Sequence, residues 1–203
     1  MDRFALEMGR AGYVIAKDMC KIQPGESVLI TIDSVSDTAP AIAVAQAAEA
    51  LGGKVMLVWH STPRGYGRVA ESRMANGLKA AIPESDVWVE FNTQWLLYSA
   101  PWMTAMLNGR TRYLFLGGLT SEQVMRCIAN LDMNLQADFQ NALVTLTAKA
   151  NHMRVTTPAG TDVSFDNDHA RPILNELDAG TPGAHFLTGQ MGWAPIERSI
   201  NGT

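Results

Sequence analysis

The chain has 203 residues, of which 47% are hydrophobic and 18% are charged, and its formal net charge is −4. This length allows one large domain, or one domain and part of another, and the composition is typical of a globular protein. The sequence has no cluster of Lys and Arg, which argues against nucleic acid and anionic membranes as partners.

The two cysteines, Cys20 and Cys127, occur in segments with a helical pattern and lack the spacing of metal ligands. We expect both to be buried, reduced thiols, which are typical of a cytoplasmic protein. The first 20 residues carry charge throughout, unlike a signal peptide, and no stretch approaches the roughly 20 apolar residues of a membrane span. A cytoplasmic location is therefore predicted.

Strands and helices alternate along the first 150 residues. Short, continuous apolar runs predict buried strands over 28–33, 54–60, 86–92 and 111–118. Apolar residues at helical spacing predict helices over 2–20, 36–53, 66–81, 96–108, 120–131 and 134–150. This alternation predicts an α/β fold with a parallel, Rossmann-like sheet and helices on both faces.

Two of these helices have recognisable start signals. Asp37 or Thr38 is expected to cap the helix over 36–53. Thr120 and Gln123 have the spacing of a capping box at the start of the helix over 120–131.

The pattern changes near residue 150. Alternating residues on either side of Pro-Ala-Gly-Thr predict a β-hairpin over 151–168. A loop-rich stretch follows over 167–183, and then a further strand over 184–189. We therefore predict an α/β domain over 1–150 and, over 151–203, the incomplete start of a β-rich second domain, because so short a β-rich segment is marginal alone. The final Asn201-Gly202 is a hairpin-turn signal with no strand after it, which is expected of the front part of a longer protein.

The junction after the first predicted strand contains no glycine, which excludes a dinucleotide fingerprint or a phosphate-binding loop there. Asp33 lies at the carboxyl end of this strand, where open α/β sheets bind ligands. Trp95, Tyr98 and Trp102 follow the third strand and are candidates for an aromatic pocket, with core packing as the alternative. Trp193 is a further pocket candidate.

No His-x-x-x-His or Glu-x-x-His pattern occurs, and neither cysteine has a neighbouring histidine. Asp166-Asn167-Asp168-His169 is the densest group of possible ligands, with a solvated loop as the alternative. No catalytic residue is therefore assigned from the sequence.

Three segments resemble the thermophilic leucyl aminopeptidase (aminopeptidase T) family. They are Ile-Gln-Pro-Gly-Glu-Ser-Val-Leu-Ile at 22–30, Gly-Thr-Asp at 160–162, and Ala-Pro-Ile-Glu-Arg-Ser-Ile-Asn-Gly at 194–202. The wider group includes relatives similar to 2,5-dihydroxypyridine 5,6-dioxygenase, a mononuclear iron enzyme. The resemblance implies a two-domain enzyme with a divalent metal (Zn, Co, Mn or Fe) whose ligands lie mostly after residue 202, so no cofactor is expected for this chain alone.

The resemblance also bears on individual residues. Gln190 occupies the position of the first Glu ligand of the aminopeptidases, and a neutral amide is a poor substitute for a carboxylate between two cations. Glu197 is a possible site carboxylate, or else a residue that fixes the turn before Asn201. Asp162 is expected to stabilise the hairpin turn through backbone N–H groups.

Three functions remain open from the sequence. The first is a metal-dependent enzyme that releases N-terminal amino acids or, as Gln190 favours, acts like the one-metal dioxygenases. The second is a non-catalytic module that binds a small molecule or a partner, and the third is a degenerate paralogue that works beside an intact enzyme. The expected partners are a small-molecule or peptide substrate and further copies of the chain, as a homo-oligomer.

Overall fold

The structure is a computed structural model that describes residues 4–186 and 189–203. The described strands are β1 (Ser27–Asp33), β2 (Lys54–His60), β3 (Val87–Glu90), β4 (Arg112–Phe115), β5 (His152–Thr156), β6 (Asp162–Asp166), β7 (Leu174–Glu176), β8 (Gly183–Phe186), β9 (Gln190–Gly192) and β10 (Asn201–Gly202). The described α-helices are α1 (Ala5–Tyr13), α2 (Thr38–Ala50), α3 (Asn76–Glu84), α4 (Ala100–Leu107), α5 (Ser121–Cys127) and α6 (Met133–Lys149). A π-helical turn (Val14–Met19) extends α1, and 3₁₀ turns occupy Ala70–Arg73 and Glu197–Ser199.

The described residues form two compact units, 4–133 with 178–186, and 134–177 with 189–203. By compactness, α6 therefore belongs largely to the second unit and β8 to the first, whereas the sequence pattern predicts one boundary near residue 150. Within the described residues, no helix is long and apolar enough to cross a lipid bilayer.

The first unit contains a five-stranded parallel sheet in the order β2-β1-β3-β4-β8. Successive residues of its central strands point to opposite faces, so Val28 and Ile30 pack with α1, α2 and α5, whereas Leu29 and Trp88 pack with α3 and α4. The predicted α/β fold with helices on both faces is thus confirmed.

Strand β2 differs from the prediction of a buried strand. It lies at the edge of the sheet, and its Met56, Leu57 and Trp59 side chains are 45%, 39% and 69% exposed. An apolar run identifies a strand but does not say whether one or two neighbours will flank it, so the prediction of burial was wrong. Cys127, expected to be buried, is exposed at the last residue of α5, whereas Cys20 is buried and both thiols are free.

Both helix-start predictions are confirmed. The Asp37 carboxylate accepts a hydrogen bond from the Ala39 N–H at 3.1 Å, and Thr120 and Gln123 form the capping box of α5. The other helices begin and end within a few residues of their predicted bounds, except that the predicted helix over 66–81 is a 3₁₀ turn followed by α3. Residues 2–3 of the first predicted helix lie outside the described residues.

Strand β8 pairs in parallel with β4 of the first unit, although the sequence pattern assigns it to the β-rich second region. Local pattern identified the strand over 184–186, but its partner is fixed only by the path of the chain. Residues 187–188 of the predicted strand lie outside the described residues, and its last residue, Gly189, lies in a turn with a positive φ of 94°.

The second unit contains the predicted hairpin, β5 with β6, and a short antiparallel pair, β7 with β9. Asn201-Gly202, predicted to be a turn, instead forms β10 and pairs antiparallel with Ser164 and Val163 of β6. A Cβ atom at Gly202 would overlap the carbonyl oxygen of Asp162. The glycine is therefore required for the close approach of two strands, and not for a turn.

Candidate functional site

The carboxyl ends of β1 and β3 meet at the point where the chain order of the sheet reverses. From β1 the chain continues to β2 on one side, and it returns to β3 on the other. Open α/β sheets bind ligands in the crevice at such a switch point. This edge of the first unit, which we call the switch-point edge, carries Asp33, Glu90 and Asn92.

Asp33 is fully buried and organises the loops at the switch-point edge. Its Oδ1 accepts hydrogen bonds from the Val35 N–H at 3.1 Å and from the Ser36 hydroxyl at 2.9 Å. Its Oδ2 accepts from the Gln94 N–H at 2.8 Å, which ties the loop after β3 to the end of β1. These bonds occupy both carboxylate oxygens, so Asp33 shapes the edge of the site.

Glu90 is a fully buried carboxylate at the end of β3 that sequence reasoning missed. Its Oε1 accepts hydrogen bonds from the Asn92 side chain at 2.8 Å and from the Leu96 N–H, and its Oε2 accepts a short bond from the Tyr113 hydroxyl. Burial raises the pKa of Glu90 to about 7, although these hydrogen bonds favour the charged form. Burial, together with the charge of Glu90, also raises the pKa of Tyr113 well above its ordinary value.

The polar network extends from Glu90 towards the surface. The Asn92 Oδ1 lies 3.3 Å from His60 Nε2, and His60 Nδ1 lies 3.0 Å from the carbonyl oxygen of Ser61. A chain of hydrogen bonds therefore joins the buried Glu90 and Tyr113 to a half-buried histidine at the end of β2. The sequence contained a signal for this network, because Glu90 is a charged residue within an otherwise apolar strand and Asn92 is a polar residue just after it.

The three predicted aromatic candidates do not form one pocket. Trp102 is 8% exposed and belongs to the core under α4, where its ring packs edge-on against Tyr113 with centroids 6.2 Å apart. Tyr98 is 57% exposed and packs edge-on against Trp102. Trp95 instead pairs with Tyr66, with centroids 4.6 Å apart, and this partly exposed pair lies beside Gln94.

In the second unit, a small cavity of about 40 Å³ lies against Trp193. It is lined by Ala148, Asn167, Asp168, His169, Arg171, Ile173, Trp193 and Ala194. The Trp193 Nε1 is buried and has no hydrogen-bond partner among the described residues. A cavity of this size can hold a water molecule or two, and a water would satisfy this donor.

Arg171 fixes the wall of this cavity. Its guanidinium donates to both oxygens of Glu197, at 2.7 and 3.1 Å, to Asp168 Oδ2 at 3.1 Å and to the carbonyl oxygen of Pro195 at 2.6 Å. This pairing lowers the pKa of Glu197 to about 2. The Glu197 carboxylate therefore anchors the turn that precedes Asn201.

The remaining predicted residues of the second unit are placed as follows. Gln190 is an exposed residue that begins β9 and pairs with Glu176 of β7. Its backbone carbonyl oxygen accepts a hydrogen bond from the Gln140 side chain at 2.9 Å. Asp162 makes a two-pronged ion pair with Arg154 across the hairpin, at 2.7 Å for each bond. The Asp162 carboxylate thus binds the Arg154 side chain, whereas the Thr157 hydroxyl accepts the hydrogen bond from the Thr161 N–H of the turn at 3.2 Å, so the expected bonds from backbone N–H groups to Asp162 are not found among the described residues.

The possible ligands at 166–169 are divided among separate partners. His152 Nδ1 lies 2.8 Å from Asp166, whereas His169 contacts the Ala148 carbonyl oxygen at 2.8 Å and the Asn151 side chain at 2.9 Å. Among residues 4–186 and 189–203, no group of three or more His, Cys, Asp or Glu side chains could hold a metal ion. The described residues therefore do not fit a metal centre by themselves.

The fold and these features define an α/β protein with a doubly wound parallel sheet and a separate antiparallel hairpin unit. Comparison with protein families gives the next step: the model of the family described as 2,5-dihydroxypyridine 5,6-dioxygenase (NicX) matches residues 14–203. The chain belongs to this family. No curated protein sequence matches the chain.

Two solved structures share the fold. The 2,5-dihydroxypyridine dioxygenase of Pseudomonas putida KT2440 superposes with a TM-score of 0.68 at 21% identity, over 96% of this chain and 57% of that one. Wild-type AmpT of Thermus thermophilus superposes with a TM-score of 0.60 at 13% identity, over 98% of this chain and 64% of that one. The chain thus spans about three-fifths of the length of these relatives, and both relationships named from the sequence motifs are confirmed.

Proposed function

We propose that this chain belongs to a metal-dependent enzyme that opens a hydroxylated nitrogen heteroaromatic ring with dioxygen. The observation that carries the proposal is the family match, which extends from residue 14 to residue 203 and therefore includes both compact units. The proposed substrate class is that of 2,5-dihydroxypyridine, after which the family is described.

Gln190 supports oxygenase over peptidase chemistry. The resemblance to the aminopeptidases implies a Glu ligand at this position, where a negative charge would offset two divalent cations. A glutamine provides no such charge. Release of N-terminal amino acids remains the second candidate, which the shared fold with AmpT supports.

The family implies a metal such as iron, but the described residues do not bring together a set of ligands that would hold it.

What these residues can supply is a surface for a planar ring. The Tyr66–Trp95 pair is partly exposed at the switch-point edge, and aromatic faces bind flat rings by stacking. The Gln94 side chain, which reaches the Tyr66 hydroxyl at 3.3 Å, and the His60–Asn92 pair offer polar groups close to the ends of β2 and β3. We propose that the hydroxylated ring binds here before or during the reaction.

The test compares two activities of the gene product isolated from its source. Oxygen uptake is followed with 2,5-dihydroxypyridine after addition of Fe(II), and release of p-nitroaniline is followed with leucine p-nitroanilide after addition of Co(II) or Zn(II). The proposal predicts substrate-dependent oxygen uptake without p-nitroaniline release. Peptide-bond cleavage without oxygen uptake would contradict it and favour the second candidate.

A further inference from the structure

The side-chain amide of Asn92 lies between a buried acid and a histidine. Asn92 is fully buried, with one end of its amide 2.8 Å from Glu90 Oε1 and the other end 3.3 Å from His60 Nε2. The oxygen and nitrogen of an amide have nearly the same shape, so the same atomic positions fit an amide pointing in either direction. The direction is decided by the hydrogens that Glu90 and His60 carry.

Tyr113 determines which oxygen of Glu90 can carry a proton. The Tyr113 hydroxyl donates to Glu90 Oε2, and burial raises the pKa of Tyr113 well above its ordinary value, so this group remains a donor near neutral pH. Oε2 is therefore an acceptor. A proton on Glu90 must lie on Oε1, the oxygen that faces Asn92.

When Glu90 is protonated, the hydrogen bonds of the network all run in one direction. Glu90 Oε1 donates to the Asn92 amide oxygen, and the amide nitrogen donates to His60 Nε2. The hydrogen of a neutral His60 ring then lies on Nδ1, where it is donated to the carbonyl oxygen of Ser61 at 3.0 Å. Every donor meets an acceptor, and neither ring nitrogen of His60 is free to accept a further proton.

When Glu90 is ionised, the direction reverses. The Asn92 amide nitrogen must donate to the carboxylate, so its oxygen faces His60 and requires a hydrogen on Nε2. Nδ1 of the neutral ring is then a bare acceptor opposite the Ser61 carbonyl oxygen, which is also an acceptor. The mismatch falls on this side because Ser61 is exposed and water can satisfy its carbonyl, whereas water does not reach the buried amide.

Other titratable groups also face the network. Asp33 pairs with His60 across β1 and β2, and its carboxylate accepts three hydrogen bonds from the neighbouring loops. Tyr98, in the loop before α4, contributes to the raised pKa of Tyr113. Burial raises the pKa of Glu90 to about 7, so both directions of the amide are populated near neutral pH.

We propose that His60 is the base of the switch-point edge, that Nδ1 is its accepting atom, and that Glu90 and Asn92 are positioning residues that free this atom when Glu90 is ionised. The proton comes from a hydroxyl on an aromatic ring held at the Tyr66–Trp95 pair, and this choice of ligand rests on the proposed function. The O–H bond of the ligand breaks, its electron pair stays on the oxygen, and an N–H bond forms at Nδ1.

The first experiment locates the hydrogen on the His60 ring by nitrogen NMR of the isotopically labelled protein, at about pH 5.5 and about pH 8.5, on either side of the pKa of Glu90. The His60 signals are assigned by their loss in His60→Gln. The hydrogen is expected on Nδ1 at the lower pH and on Nε2 at the higher pH. Hydrogens on both nitrogens at the lower pH, or on the same single nitrogen at both, would overturn the proposal.

The role of the amide is tested with Asn92→Asp, which has nearly the same shape but offers His60 only an acceptor. This variant is expected to keep a hydrogen on Nε2 at both pH values, so the change of tautomer is lost. Asn76→Asp is the matched control, because it adds the same carboxylate at an exposed position at the start of α3 and is expected to behave like the wild type. A change of tautomer that survives in Asn92→Asp would overturn the role of Asn92. If Asn92→Asp does not fold, the wild-type spectra alone still decide the proposal.

The link to the reaction is tested by the pH dependence of oxygen uptake with 2,5-dihydroxypyridine and Fe(II), measured on the gene product isolated from its source. The wild-type kcat/KM is expected to fall about tenfold per pH unit below about pH 7, and Asn92→Asp is expected to lack this fall because its Nδ1 stays free. The same pH dependence in both proteins would overturn the role of Glu90. A change of tautomer without any oxygen uptake would instead refute the proposed function and the ligand assigned to His60.

Discussion

The buried carboxyl of Glu90 makes the stability of the first unit depend on pH in a defined direction. The side chain is fully buried and accepts hydrogen bonds from Asn92, Leu96 and Tyr113. Its pKa is raised from 4.5 to about 7 by burial. The folded state therefore holds a proton between these two values that the unfolded chain has already released.

The sign and size of the effect follow from proton linkage. For an acid whose pKa is higher in the folded state, the stabilising contribution is complete below the unfolded pKa of 4.5 and is lost as the pH rises through about 7. Each unit of pKa shift corresponds to about 1.4 kcal/mol, so the free energy of unfolding should fall by roughly 3 kcal/mol from this group.

The perturbation is Glu90→Gln, which keeps the shape of the side chain and removes its titration. Urea unfolding of the wild type and the variant, followed by near-ultraviolet circular dichroism, is measured at several pH values between 4.5 and 8. The difference between their unfolding free energies should change by roughly 3 kcal/mol over this range in favour of the variant at high pH. Glu122→Gln, at a side chain that is 77% exposed, is the control and should show almost no change.

This reasoning would be refuted if the difference in unfolding free energy between the wild type and Glu90→Gln stayed constant from pH 4.5 to 8. It would mean that Glu90 has the same proton affinity in the folded and unfolded states. The hydrogen bonds from Asn92, Leu96 and Tyr113 would then compensate fully for the loss of hydration.

Two further predictions concern single contacts. A Cβ atom at Gly12 would overlap the Ala43 backbone where α1 crosses α2, whereas one at Gly9 meets nothing within 4 Å. Gly12→Ala should therefore lower the free energy of unfolding by about 1–3 kcal/mol, and Gly9→Ala should raise it by about 0.5–1 kcal/mol; equal effects in urea unfolding would disprove this packing argument. Arg171→Ala should return the pKa of Glu197 from about 2 towards its ordinary value in an NMR titration, and an unchanged pKa would show that another group holds the carboxylate.

The elements of the fold could be predicted because each has a local cause. Apolar runs marked β1, β3 and β4, and the Thr120–Gln123 capping box marked the start of α5. The pairing of β8 with β4 and the edge position of β2 could not be predicted, since both depend on which strands become neighbours. Local sequence does not encode that information.

In the candidate site, too, features with a local cause could be predicted and features that depend on spatial neighbours could not. Position at the end of β1 identified Asp33 as part of the switch-point edge, and proximity in sequence grouped Trp95 with Trp102. The structure separates these two rings, because Trp95 lies in the partly exposed loop before α4, whereas Trp102 lies on the buried face of α4 itself. The buried Glu90 network was missed, since its members come from three different strands and their ends.

The Arg171–Glu197 pair was also beyond sequence reasoning. Glu197 was identified through its motif, with the alternatives of a site carboxylate and a turn-fixing group. Its partner lies 26 positions earlier in a loop-rich segment without periodicity, so nothing in the sequence connected them. The roles of Gln190 and Glu197 in catalysis remain predictions.

The most direct test of the proposed oxygenase function is the fate of dioxygen. The gene product isolated from its source is supplied with 2,5-dihydroxypyridine, Fe(II) and isotopically labelled dioxygen, and the product is analysed by mass spectrometry. The proposal predicts a ring-opened product that contains both labelled oxygen atoms. An unaltered pyridine, or a product whose new oxygen comes only from water, would contradict it.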